Sequence, residues 1–133
     1  MRTNYEDIAQ AGEIIQAACH YASASAGWWI DPDTGEDMST SPWFPYVVGT
    51  KLMLVVSEIA EGMEGHRKNL MDDKLPHRPM LEVEMADAVI HIADLAGKLN
   101  YDLGGAIAEK MAFNAVRPDH KIEARAAVNG KKY

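Results

Sequence analysis

The chain has 133 residues, of which 47% are apolar and 25% charged, values typical of one soluble globular domain. Its formal net charge of −7 argues against a nucleic-acid polymer as the main partner, because duplex binding requires a basic surface. A single cysteine, Cys19, excludes an intrachain disulfide, and no signal peptide or membrane-spanning apolar run is recognisable. We therefore expect a cytoplasmic protein that binds no membrane.

The pattern of apolar residues predicts four main helices and no strand. The first extends from about Asn4 to Ala22, with Thr3 and Glu6 placed to form a capping box. The next three are predicted from Val48 to Lys68, from Pro79 to between Gly97 and Asn100, and, capped by Asp102, from Leu103 to Asn114. We expect a single domain over residues 1–133 with the all-α class and a four-helix bundle. Its polar tail, residues 118–133, is expected to be loose or to form a short extra helix.

Residues 23–46, between the first two helices, are rich in Gly, Pro, Asp and Ser and contain all three tryptophans: Trp28, Trp29 and Trp43. A connection this long is usually functional or disordered, and its aromatic content argues against disorder. One interpretation is a lid that stacks on a flat ring such as a nucleobase. The other is that the aromatic side chains anchor the loop on the bundle or contact another subunit.

Two pairs of carboxylates carry the chemistry of this sequence: Glu58 with Glu61, and Glu84 with Asp87. In each pair the residues are three apart and so share one face of a predicted helix. No Lys or Arg occurs in residues 52–66 or 79–97, so like charges on largely apolar helices would repel without a cation. We expect the two pairs to face each other around a divalent metal; the competing interpretation is two solvent-facing acidic stripes.

An all-oxygen ligand set favours Mg²⁺ or Mn²⁺ over Zn²⁺ or iron. Di-iron Glu-x-x-His, zincin and P-loop motifs are absent from the sequence. His91 lies one turn beyond Asp87, where it either supports a ligand by a hydrogen bond or is a structural histidine.

Four segments in order resemble the all-α nucleoside triphosphate pyrophosphohydrolases, and above all the small MazG-like proteins of phages and bacteria. They are residues 51–61, 72–79, 82–89 and 102–114, and the resemblance covers roughly Trp28 to Lys121. Ser57 departs from it, since many MazG proteins carry a further Glu at that position. This departure puts in doubt only an auxiliary metal ligand.

The resemblance implies hydrolysis of a nucleoside triphosphate to the monophosphate and pyrophosphate. Glu58, Glu61, Glu84 and Asp87 would hold one to three Mg²⁺, with Mn²⁺ as a substitute, and Glu58 or Glu61 would double as the general base. Lys110, Asn114 and Arg117 would bind the phosphates, although surface solubility is an equal explanation for Lys110 and Arg117. Because the family reads the base with the first helix and the following loop, Gln16, Trp28 and Trp29 are the corresponding residues.

The base specificity stays open. One branch of the family, MazZ, acts on dGTP or GTP in phage nucleotide metabolism, which would place the protein in the host cytoplasm. House-cleaning of non-standard nucleotides, a dUTPase-like activity and a non-catalytic, metal-stabilised scaffold are the alternatives. The third helix is apolar over most of its circumference, and members of the family that the chain resembles are dimers or tetramers. Both points predict a homodimer or homotetramer.

Overall fold

The computed structural model describes residues Asn4–Tyr133, and the regular elements of this range are helices. They are α1 (Tyr5–Ser25), α2 (Phe44–Lys68), α3 (Met80–Lys98), α4 (Leu103–Ala115) and α5 (Ile122–Ala126), with 3₁₀ turns at Met38–Thr40 and Pro118–His120. The all-α class is thereby confirmed, whereas the MazG-like bundle and the oligomer stay predictions. Between Asn4 and Tyr133 no helix is both long and apolar enough to cross a membrane.

The helix ends follow from local hydrogen bonds. Asn4 caps α1 through its Oδ1, which accepts the backbone N–H of Glu6 at 3.1 Å; the expected partner in a capping box, Thr3, lies outside the described residues. Asp102 caps α4 as predicted and accepts the N–H of Gly105 at 2.8 Å. In the tail, α5 is the short extra helix that was one of the two expectations.

Two boundaries differ from the predicted ones. α1 continues to Ser25, beyond the expected end at Ala22. α2 begins at Phe44 instead of Val48, because Pro45 sits in its first turn, where a missing N–H and a fixed φ do not disturb a helix. The irregular connection is therefore shorter at both ends than the 23–46 loop expected from composition.

The chain divides into two compact units. One consists of residues 4–14 together with Asp102–Tyr133, and it holds α4 and α5. The other, Ile15–Tyr101, contains the end of α1, the connection with the three tryptophans (residues 26–43), α2 and α3. The single domain expected from the sequence stays a prediction.

Within the second unit, α2 and α3 pack as an antiparallel pair. Gly65 faces Met80, Gly62 faces Glu84, and Glu58 bonds to His91, so residue numbers fall along α2 as they rise along α3. Both glycines are buried, and a Cβ added to Gly65 would lie 2.8 Å from the Cβ of Met80. The absence of side chains at these two positions lets the helices approach closely and places the acids of α3 against α2.

Candidate metal centre

Three of the four predicted carboxylates come together between α2 and α3. Glu58 on α2 and Glu84 and Asp87 on α3 each offer an oxygen, and these oxygens all lie within 4.8 Å of one another. Glu84 is buried, with 7% of its surface exposed, while Glu58 and Asp87 are half-buried. Oxygen ligands at this spacing suit a hard divalent cation such as Mg²⁺.

Glu61, the fourth predicted ligand, lies one turn beyond Glu58 and is exposed. Among the described residues it does not belong to the group whose oxygens lie within 4.8 Å of one another. It is nevertheless close enough for its charge to act on Glu84. The structure thus brings together three of the expected ligands and places Glu61 at the solvent side of the cluster.

The electrostatics of the cluster favour a cation. The pKa of Glu84 is raised to about 7, and burial is the largest cause. A hydrogen bond with Glu58 and the negative charges of Glu61, Glu58 and Asp87 raise it further. A carboxyl group with this pKa is partly protonated at neutral pH when no cation compensates the cluster. A divalent ion would displace that proton and remove the repulsion.

His91 is joined to the cluster. Its Nε2 lies 3.1 Å from Oε1 of Glu58, and both side chains are half-buried. Since one oxygen of Glu58 is fixed by the imidazole, the carboxylate is oriented toward the two acids of α3. This contact fits the support role considered for His91 from the sequence.

A cavity of about 470 Å³ lies beside His91 in the same unit. This volume falls in the range of sites for small organic ligands, roughly 300–1,000 Å³. Its wall is mostly apolar, with polar groups from α1, α2 and α3; the lining residues are Cys19, Ala22, Ser23, Ala26, Trp28, Lys51, Leu54, Ile90, His91 and Asp94.

The two adjacent tryptophans have different environments. Trp28 lines the cavity and is 66% exposed, so its ring is accessible to a ligand. Trp29 is 2% exposed, and its Nε1 donates to Oδ1 of Asp94 at 2.8 Å. Trp29 therefore anchors the loop on α3, which is the second of the two interpretations considered for the tryptophans.

Asp94 holds this corner of the unit together. In addition to Trp29, its carboxylate accepts the hydroxyl of Ser23 at 2.7 Å and lies 2.8 Å from Nδ1 of His20. These partners come from α1 and from the loop that follows it, so the sequence did not indicate the role of Asp94. The negative charge of Asp94 adds to burial, the larger cause, in raising the pKa of the Cys19 thiol.

Gln16 does not line the cavity. Its side-chain nitrogen donates to the backbone carbonyl of Tyr101 at 2.6 Å, which ties α1 to the segment after α3. Of the three residues expected to read the base, Trp28 alone has an exposed ring in the cavity wall.

The residues expected to bind phosphates lie in the other compact unit. Lys110 lies over the ring of Phe113, 4.9 Å from its centroid, and Arg117 makes a two-pronged ion pair with Asp119 at 2.9 and 2.7 Å. The side-chain oxygen of Asn114 is buried and, within residues 4–133, accepts no hydrogen bond. Lys110 and Asn114 are both on α4, at the expected spacing of one turn.

Comparison with protein-family models, with curated proteins and with solved structures gives no match, so these comparisons assign the chain to no family.

Proposed function

We propose that this chain is a Mg²⁺-dependent nucleoside triphosphate pyrophosphohydrolase, which converts a nucleoside triphosphate and water into the monophosphate and pyrophosphate. The observation that carries this proposal is the convergence of Glu58, Glu84 and Asp87, with oxygens within 4.8 Å of one another, next to His91, which contacts Glu58 and lines a cavity of about 470 Å³. An acidic cluster of this kind fits a metal, and the cavity fits the organic part of a phosphorylated ligand. The order of the four sequence segments that resemble MazG-like proteins supports the same assignment.

The donor set agrees with the implied metal, because carboxylate oxygens are the ligands that Mg²⁺ and Mn²⁺ prefer. Glu58, Glu84 and Asp87 would hold the ion, with Glu61 at the solvent side. When bound, the metal supplies charge neutralisation for the phosphates and a more acidic water.

The chain's own groups supply position and proton transfer. Glu58 is held by His91, which leaves Glu61, exposed and free to face solvent, as the better placed of the two expected general bases. The exposed ring of Trp28 offers a stacking surface for a nucleobase. For Lys110, Asn114 and Arg117, a role in binding phosphate oxygens is proposed from the sequence resemblance alone, and for Arg117 it requires exchange of Asp119 for the substrate.

The test is release of pyrophosphate from each standard ribo- and deoxyribonucleoside triphosphate with Mg²⁺, Mn²⁺ or EDTA. We expect metal-dependent turnover, and a loss of about 100-fold or more in kcat for Glu84→Gln. Glu82→Gln is the matched control, because Glu82 lies on the same helix but is exposed and paired with Arg78.

The pattern of substrates separates the remaining alternatives. Turnover confined to dGTP and GTP indicates the MazZ-like role, broad turnover indicates house-cleaning, and turnover of dUTP alone indicates a dUTPase-like enzyme. Absence of turnover with Mg²⁺ and with Mn²⁺, combined with thermal stabilisation by either ion, would replace the enzyme by a metal-stabilised scaffold.

A further inference from the structure

The ammonium group of Lys51 contacts an aromatic ring instead of a carboxylate. It is half-buried on α2, and its Nζ lies 4.6 Å from the ring centroid of Trp29. Within residues 4–133 no acidic side chain makes an ion pair with it, whereas Lys68 and Lys98 each contact a carboxylate. The aromatic ring stabilises part of the positive charge, but it is not a conventional hydrogen-bond acceptor for the three N–H groups. Lys51 therefore keeps hydrogen-bonding capacity at the wall of the cavity that it lines.

The position of Lys51 along α2 indicates which part of a ligand it meets. Seven residues separate it from Glu58, which corresponds to about 10 Å along a helix axis. This span is comparable to that between the phosphates of a nucleotide and the far edge of its base. A nucleotide with its phosphates at the acidic cluster would place its base between Trp28 and Lys51, which line the same cavity.

The cavity's other charged group at this end has no comparable capacity. Asp94, a carboxylate that could accept a hydrogen bond from an exocyclic amino group, is already bound by Trp29 and Ser23 and contacts His20. Lys51 has donors and no acceptor. The cavity thus offers an ammonium with three donors and a carboxylate that already contacts three side chains, which favours an oxygen over an amino group on the base edge.

We propose that Lys51 selects nucleotides whose base carries an oxo group, at position 6 of a purine or position 4 of a pyrimidine, over those that carry an amino group there. This inference rests on the proposed function, because it takes the phosphates to lie at Glu58, Glu84 and Asp87. An amino group facing the ammonium would leave donors of both groups without acceptors, which is costly in a partly buried site.

Two matched substrate pairs test the proposal: inosine against adenosine triphosphate, and uridine against cytidine triphosphate. Within each pair the base differs in its oxo or amino group and in the protonation of the adjoining ring nitrogen. We expect the wild-type protein to prefer the oxo member in kcat/KM. Lys51→Met should reduce that preference roughly tenfold or more, as befits loss of a hydrogen bond from a charged donor, and Lys51→Arg should retain part of it.

Lys98→Met is the matched control, because Lys98 also contacts the Trp29 ring, at 5.4 Å, but does not line the cavity. It should lower stability, since its ion pair with Asp37 is lost, and leave the oxo-to-amino ratio unchanged. The ratio within a pair is insensitive to the fraction of folded enzyme, so a partly unfolded variant still gives a valid result.

An unchanged ratio of kcat/KM between the oxo and amino members in Lys51→Met would overturn the proposal. If kcat/KM also fell equally for both members, Lys51 would be placed at the phosphates instead of the base. If the wild-type protein turns over none of the four nucleotides, calorimetric titration with each, in Mg²⁺, takes the place of kinetics. Binding with an oxo preference that Lys51→Met removes would sustain the selection, and absence of turnover with every standard nucleoside triphosphate would refute the hydrolysis. Binding of none of them would refute the selection, and the hydrolysis would then be judged by the full set of standard nucleoside triphosphates.

Discussion

At the scale of single residues, Glu84 is the group whose state controls the acidic cluster. Its pKa is raised to about 7, mainly by burial, from the usual 4.5 of a glutamate. Because the folded protein prefers the protonated form, this group's contribution to stability is complete below about pH 4.5 and is lost as the pH rises through 7. Metal binding, by contrast, requires the ionised form and so gains from a higher pH.

We therefore expect the melting temperature of the EDTA-treated protein to fall between pH 5 and pH 8, and Mg²⁺ to restore more of it at pH 8 than at pH 5. Thermal melts at several pH values, with and without millimolar Mg²⁺, measure both effects. Glu84→Gln should flatten the dependence. A Mg²⁺ effect of the same size at both pH values would contradict the assignment of Glu84 as a ligand.

His91 allows a second test at this scale. Since its Nε2 fixes Glu58 at 3.1 Å, His91→Gln should weaken Mg²⁺ binding roughly 10- to 100-fold, the usual effect of losing a group that orients a ligand. The concentration of Mg²⁺ that gives half of the full thermal shift measures this. His66→Gln, at an exposed position near the end of α2, is the control. Equal Mg²⁺ affinities in the two variants would mean that His91 is structural.

At the scale of helices, the close packing of α2 against α3 depends on glycine. A Cβ at Gly65 would lie 2.8 Å from the Cβ of Met80, which is bonded to the backbone and does not move when the side chain changes rotamer. Gly49 lies on the same helix, and a Cβ there would have no neighbour within 4 Å. The two positions therefore separate packing from helix propensity.

We expect Gly65→Ala to destabilise the protein by about 1–3 kcal/mol through overpacking, and Gly49→Ala to stabilise it by up to about 1 kcal/mol through propensity. Urea denaturation of both variants measures the two free energies of unfolding. Stabilisation by Gly65→Ala would contradict a close approach of α2 and α3 at this position.

Much of the helical architecture could be predicted from the sequence, because capping and periodicity are local properties. Asp102 and the apolar spacing of the third helix are examples. The difference between Trp28 and Trp29 could not, since it depends on Asp94, which is distant in sequence. The contact of His91 with Glu58 is likewise a product of helix pairing, and the sequence suggested its role without its partner. Whether Glu61 or Glu58 faces the solvent also depends on the rotation of α2 against α3.

At the scale of the whole molecule, apolar side chains stay exposed along both helices that carry the acids. On α2 they recur at helical spacing at Leu52, Val56, Ile59 and Met63, and on α3 at Met85, Val89 and Ile92, each between 42% and 57% exposed. Each set forms one stripe along its helix. Large contiguous apolar surfaces of this kind are uncommon on monomers and are typical of subunit interfaces.

These stripes support the homodimer or homotetramer expected from the sequence, and a two-fold axis would bury the same stripes of both copies. We expect the 14.7-kDa chain to sediment as a dimer or tetramer. Val56→Lys combined with Val89→Lys should shift it toward the monomer, because unpaired charges would be buried at the contact. Val128→Lys, at a residue 92% exposed near the end of the chain, should leave the mass unchanged. A wild-type protein that sediments as a monomer at micromolar concentration would refute self-association through these faces, and the exposed stripes would then require a different partner.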